Sequence, residues 1–122
     1  MKKLLLIFVL TMFGMTSKAE QISSVETNGN WIYIYNSQGK KYKTMSVSTV
    51  GTVMGYSSSF FVSHNGSWIY LWDSEGKKIK TMSKSTVGEV IGVAGDTFTS
   101  RNGNWIYTWN TDGKKINTRS AH

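Results

Sequence analysis

Apolar and polar positions along this chain alternate in short runs bounded by Gly, Asn and Ser, and no stretch beyond the first 19 residues keeps a 3.6-residue period. The clearest run is SWIYLWD, Ser67 to Asp73. In an extended strand successive side chains point to opposite faces, so Trp68, Tyr70 and Trp72 share one face while Ile69 and Leu71 share the other. Both faces are apolar, and a strand with one side in water would alternate apolar with polar. The run therefore predicts a strand in a sheet that is covered on both sides. Before it, SFFVSH (Ser59 to His64) reads as a strand, and Asn65-Gly66 as a two-residue hairpin loop. After it, Asp73 to Gly76 reads as a second turn with a left-handed Gly76, and KKIKTM (Lys77 to Met82) as the return strand. VGTVMGYS (Val50 to Ser57) supplies a first, glycine-interrupted strand.

This four-strand pattern recurs. Trp31, Trp68 and Trp105 head three copies spaced 37 residues apart, and a strict period of that size marks a repeat architecture. Between Asn28–Tyr56 and Asn65–Val93, 19 of 29 positions are identical. The fold class expected is all-β, with three repeats of four short antiparallel strands, in units of about 20–49, 50–86 and 87–122. Small sheets stacked face to face around an axis have both faces covered, which is the arrangement of propeller blades. Gly51, Gly55, Gly88 and Gly92 suit the crowding of a blade's innermost strand. The first unit begins at its second strand, near Ile22, which leaves 11 strands in all. Propellers close with about four to eight blades. Three units thus imply a homo-oligomer, with a six-unit dimer the simplest ring, or a three-fold closure of another kind, a β-trefoil or β-prism.

Two segments carry a family resemblance. YLWDSEGKKIKTM resembles the end of a WD40 blade, with its aromatic-Asp pair, tight turn, Gly-Lys and Thr-hydrophobic close. VGEVIGVAGDTFTSRNGNWIYTWN resembles the first three strands of the next blade. The resemblance spans Gln21 to Thr118; the Gly-His pair that opens many WD40 repeats is absent, and Asn36 and Asn110 stand in the place of Asp73. The Asn-Gly-x-Trp-x-Tyr pattern is also similar to the WG repeats of bacterial surface proteins. What the resemblance implies is a β-repeat binding scaffold without catalytic activity.

The first 19 residues change the picture of charge and compartment. Lys2 and Lys3 precede an apolar run from Leu4 to Met15, and Ser17 and Ala19 occupy the small-residue positions of a cleavage site. That is the pattern of a secretory signal peptide, too short for a retained membrane span. The expected mature chain starts at Glu20 and is exported, to a periplasm or outside a bacterial cell. Removing Lys2, Lys3 and Lys18 from 14 basic residues leaves 11 against 7 acidic ones, a net charge of +4. The chain has no Cys and no Pro, so stability has to come from packing. The remaining cations fall in register as Lys40-Lys41, Lys77-Lys78 and Lys114-Lys115, candidate basic contacts for an anionic envelope polymer rather than nucleic acid.

Catalytic and metal chemistry find little to work with. His64 and His122 do not follow the repeat, and no second ligand stands at metal spacing, so neither metal nor cofactor is expected. Asp73 and Glu75 become Asn36/Gln38 and Asn110/Asp112 in the other copies, which argues for a polar turn over an acid/base pair. No phosphate-cradling loop or nucleophile elbow occurs. What does recur is an aromatic beside a polar turn residue: Tyr35/Asn36, Trp72/Asp73 and Trp109/Asn110. Aromatic faces with adjacent amides or carboxylates suit sugar rings. These six are the candidate ligand-binding residues, read as the more accessible end of the strand, with Trp68 deeper in the core. The function expected is a secreted, lectin-like, non-enzymatic module for glycan or cell-envelope polymer. The alternative is a structural or protein-interaction component of the bacterial envelope.

Overall fold

The computed structural model describes residues 20–122; the signal-peptide reading falls on residues outside this range. Eleven strands form three antiparallel sheets in chain order. The first sheet holds β1 (Ser24–Asn28), β2 (Trp31–Tyr35) and β3 (Lys41–Ser46). The second holds β4 (Thr52–Tyr56), β5 (Phe60–Asn65), β6 (Trp68–Asp73) and β7 (Lys78–Ser83). The third holds β8 (Glu89–Ala94), β9 (Thr97–Asn102), β10 (Trp105–Asn110) and β11 (Lys115–Ser120). Strand order follows the sequence within each sheet, and among the described residues no strand pairs with a strand of another sheet. These are serial propeller-like blades, and the trefoil and prism alternatives fall away with the absence of pairing between units. One adjustment is needed: the links between blades are single helical turns, α1 (Val47–Val50) and α2 (Lys84–Val87), so the innermost strands start at Thr52 and Glu89 rather than at the preceding valines. Val50 and Val87 are fully buried there.

The two turns of each blade come from distinct local chemistry. Asn65 ends β5 and pairs with Trp68, so the two-residue loop is Gly66-Ser67, not Asn65-Gly66. Gly66 has φ +64° and the serine after it does not enter positive φ, the pattern of a loop with glycine first. The Asn side chain is thereby released for another task. Asn65 Nδ2 donates to the Ser48 and Thr49 carbonyls at the end of α1, and Asn102 does the same for Ser85 and Thr86. The other hairpin is a three-residue loop with a bulge. Asp73 N–H bonds the Lys77 carbonyl, Gly76 N–H returns to the Asp73 carbonyl, and Gly76 takes φ +81°. Gly39 and Gly113 do so at φ +78°.

Packing between sheets uses the two faces predicted for the central strand. One side of each blade presents aliphatic residues and the other an aromatic set. Ile32 and Ile34 of the first blade bury Phe61 and Trp72 of the second. Ile69 and Leu71 of the second bury Phe98 and Trp109 of the third. All eight are at most 4% exposed, and each such side chain contributes about 1.5–3 kcal/mol on removal from water. Gly55 lets the innermost strands approach: a Cβ there would sit 2.8 Å from Val93 Cγ2 of the next blade.

Gly76→Val is expected to lower stability by about 1–3 kcal/mol, because a β-branched residue is strained at positive φ. Lys43 Cε, 2.9 Å from the added Cβ, has to shift as well. Chemical denaturation of the variant measures the loss, and a melt identical to the parent would remove the role given to this turn.

Candidate functional site

Of the three aromatics read as most accessible, Tyr35, Trp72 and Trp109, the two tryptophans are buried. Trp72 and Trp109 are each 4% exposed. Their indole N–H groups donate to Ser63 Oγ and Ser100 Oγ, both at 2.9 Å. Phe61 and Phe98 stack on them at 5.9 and 6.1 Å, while Tyr70 and Tyr107 meet them edge-on. Tyr35 holds the equivalent place in the first blade, half-buried and edge-on to Tyr33 at 6.5 Å. The reason for the reversal is that this end of the strand lies within the interface with the preceding blade. The polar partners are occupied too. Asn36 Oδ1 accepts from the Gln38 and Lys40 backbone N–H groups, Asp73 Oδ1 from Glu75 and Lys77, and Asn110 Oδ1 from Asp112 and Lys114. These side chains build the turn.

The paired lysines divide into two kinds. Lys41, Lys78 and Lys115 lie over the rings of Tyr33, Tyr70 and Tyr107, with Nζ 4.0, 4.1 and 3.9 Å from the centroids. Such contacts are worth about 0.5–1 kcal/mol at exposed sites. Lys40, Lys77 and Lys114 use their backbone N–H groups in the turn and leave their side chains exposed.

The exposed aromatics are at the other end of the same strands. Trp31, Trp68 and Trp105 are 50%, 49% and 50% exposed. Register sets their surroundings. Trp31 lies between Asn28 and Ser46, Trp68 between Asn65 and Ser83, and Trp105 between Asn102 and Ser120. Direct cross-strand partners share a face, so each blade carries an Asn–Trp–Ser rung. Sheets packed face to face are about 10 Å apart, which sets the order of the spacing between successive rungs. A polar cavity of about 620 Å³ opens at this end, lined in part by Ser83, Ser85, Glu89 and Asn102. The Lys84–Glu89 ion pair, at 3.5 Å, joins two of its lining residues. At the opposite end a second cavity of about 580 Å³ is lined in part by Glu20, Asn36, Gln38, Ser59 and Ser74. The rungs follow from register once Gly66-Ser67 is taken as the loop: counting back from it pairs Trp68 with Asn65 and Trp72 with Phe61.

Beside the second cavity, Tyr42 donates its hydroxyl to the Ser74 carbonyl at 2.6 Å. Burial pushes its phenol up to about 12, with the carboxylates of Glu20, Glu75 and Asp73 adding to the shift. An acid whose pKa is higher folded than unfolded keeps its proton in the native state and loses it on unfolding. Stability should therefore fall as pH rises from about 10 toward 12. Tyr42→Phe should start less stable and show a shallower decline in Tm across that range. Truncation separates the two tryptophan classes. Trp72→Ala should cost about 3–5 kcal/mol, as a buried aromatic does. Trp68→Ala should cost about 1 kcal/mol or less, near the range of surface changes. Urea denaturation of both variants decides this, and equal losses would contradict the assignment.

No family model matches the chain, and no curated protein matches it. Among solved structures it is similar to KlHsv2 with loop 6CD replaced by a Gly-Ser linker, at 17% identity and TM-score 0.57. The alignment covers 86% of this chain and 36% of that one. Kluyvelomyces marxianus Hsv2 is also matched, at 12% identity and TM-score 0.47, over 84% of this chain and 40% of that chain. The chain thus spans little more than a third of the first of these proteins, a β-propeller, and what the likeness shows is a propeller-type fold.

Proposed function

We propose that this chain is an exported, non-enzymatic, lectin-like module that binds a cell-envelope polysaccharide along the row Trp31, Trp68 and Trp105. What supports this is the equal, half-open presentation of three tryptophans at equivalent places. An indole face suits the apolar face of a sugar ring, and the flanking amide and hydroxyl suit its edge. The Asn and Ser of the rung are the same residue in all three blades. A polymer with a repeating unit can engage successive rungs, and linked weak sites gain on the order of a hundredfold or more in avidity. The exposed Lys40, Lys77 and Lys114 at the opposite turns favour a polymer that carries negative charge.

Titration of the protein with neutral and anionic polysaccharides, followed by tryptophan fluorescence, tests the proposal. Trp68→Ala should weaken binding several-fold, and the triple change at Trp31, Trp68 and Trp105 should abolish it while the fold persists. Binding that survives the triple change but is lost in Lys40→Ala/Lys77→Ala/Lys114→Ala would move the site to the basic turns. No binding to any polysaccharide would leave the rungs without this role.

A further inference from the structure

Each blade offers an aliphatic face to its successor and an aromatic face to its predecessor, and the chain makes this heterologous contact twice. Among the described residues the aromatic face of the first blade and the aliphatic face of the third meet no further sheet. We infer that these two faces pack against each other between copies of this chain, head to tail, in a closed ring.

The first observation is Gly92. Its counterpart Gly55 is needed because Val93 of the next blade lies 2.8 Å from a would-be Cβ. Gly92 stands in the same place one blade later, at ordinary φ, with nothing within 4 Å of an added Cβ. Room for a following blade is kept where no described residue occupies it. Ile91 beside it is 55% exposed, while Met54, its counterpart, packs against the core.

The second observation is charge matching across the junctions. Lys43 and Lys80 reach over the next blade's turn, their Cε atoms 2.9 and 2.7 Å from a Cβ built on Gly76 and Gly113. Those turns carry Asp73 and Glu75, and Asp112. The corresponding residue on the third blade is Asn117, and the turn it would meet, Asn36 to Gly39 of another copy, has no carboxylate. A carboxylate beside that turn belongs to Glu20, which accepts from Asn36 Nδ2 at 3.3 Å and is tied through its own N–H to Glu75 on the second blade's turn; the turn itself supplies no acid for a lysine at 117.

The third observation is that both open faces change character together. Phe60, Val62, Leu71 and Met82 of the middle blade become Thr97, Thr99, Thr108 and Arg119 on the last. Phe61, Ser63 and Trp72 become Ser24, Glu26 and Tyr35 on the first. A junction between copies is thus wetter than the internal ones, with hydroxyls and a guanidinium on one side facing a carboxylate, a serine and a phenol on the other. Such an interface is weaker and reversible. A heterologous contact closes into a ring when its rotation allows, and two copies supply six blades, within the four to eight that propellers use.

Sedimentation of residues 20–122 at micromolar concentration should give twice the monomer mass, with dissociation on dilution. Gly92→Arg fills space that is empty within one chain, so it should leave the monomer folded by circular dichroism. It should raise the dissociation constant at least about tenfold, a change of about 1.4 kcal/mol. Asn117→Lys should also weaken assembly, and adding Gln38→Glu should restore it by placing an acid on the turn the lysine reaches, as Glu75 and Asp112 stand on the turns that Lys43 and Lys80 reach. A wild type that stays monomeric at all concentrations would overturn the inference and make both faces solvent caps. Assembly unaffected by Gly92→Arg would overturn it as well. Either failure leaves polysaccharide binding by the tryptophan rungs standing, since that is read on monomer and assembly alike.

Discussion

The structure depends on one repeated contact, an aliphatic pair on one sheet pressed against a Phe–Trp stack on the next. No disulfide can support this domain, since it has no cysteine, and a small sheet of short strands needs an apolar face to pack against something before it is stable. Each blade is stable because its neighbour covers it. The contact is also what allows the central strand to be apolar on both faces. The buried serines follow from it: Ser63 and Ser100 are fully buried, and each accepts the indole N–H of the tryptophan beside it. An indole nitrogen buried without a partner would cost about 1–3 kcal/mol, so the Trp and the Ser are one unit. In the first blade Tyr35 replaces the Trp and Glu26 replaces the Ser, and both changes occur together on the face that, among the described residues, no sheet covers.

Architecture was readable because its determinants are local and repeated. The period, the glycines of the bulged turns and the two-sided apolar strand each correspond to a feature of the fold. What was misread followed from a single displacement. Placing Asn65 inside the loop, rather than at the end of β5, leaves the Asn side chain without a purpose and obscures the register. With Gly66-Ser67 as the loop, Asn65 pairs with Trp68 and reaches back to hold the end of α1. Counting onward brings Phe61 to Trp72, an apolar pair that belongs in a core. The single-turn helices were less legible, because four residues of Val, Ser, Thr and Val show no periodicity. They form because the chain must step from the outer edge of one sheet to the inner edge of the next, with a buried valine anchoring the step.

The polar turns illustrate a different limit. Asn36, Asp73 and Asn110 beside aromatics look like a binding constellation in one dimension. In the folded blade each carboxylate or amide oxygen accepts two backbone N–H groups of its own turn. That duty needs an acceptor two and four residues before the donors, which both Asn and Asp supply, and it explains why the two alternate among repeats. A charge that mattered to a ligand would not exchange so freely for a neutral amide.

The comparison among repeats then separates what packing requires from what it does not. Residues of the interface vary with position in the stack: the aromatic at 72 and 109 is Tyr at 35, and Leu71 is Thr at 108. The half-exposed tryptophans do not vary, and neither do the Asn and Ser beside them, although the end blades have lost the neighbours that hold the interface residues constant. Asn65 and Asn102 have a structural duty at α1 and α2, whereas among the described residues no helix precedes the first blade, which still carries Asn28. Ser46 and Ser83 also begin the helical turns α1 and α2, and Ser120 Oγ accepts from His122 N–H, so the fold accounts for the serines; the half of an indole that each blade presents to water has no such duty among the described residues. What the three blades share at their surface is thus a repeated half-exposed indole rather than a deep pocket, and it is on this repetition that the proposed recognition of a repeating polymer rests.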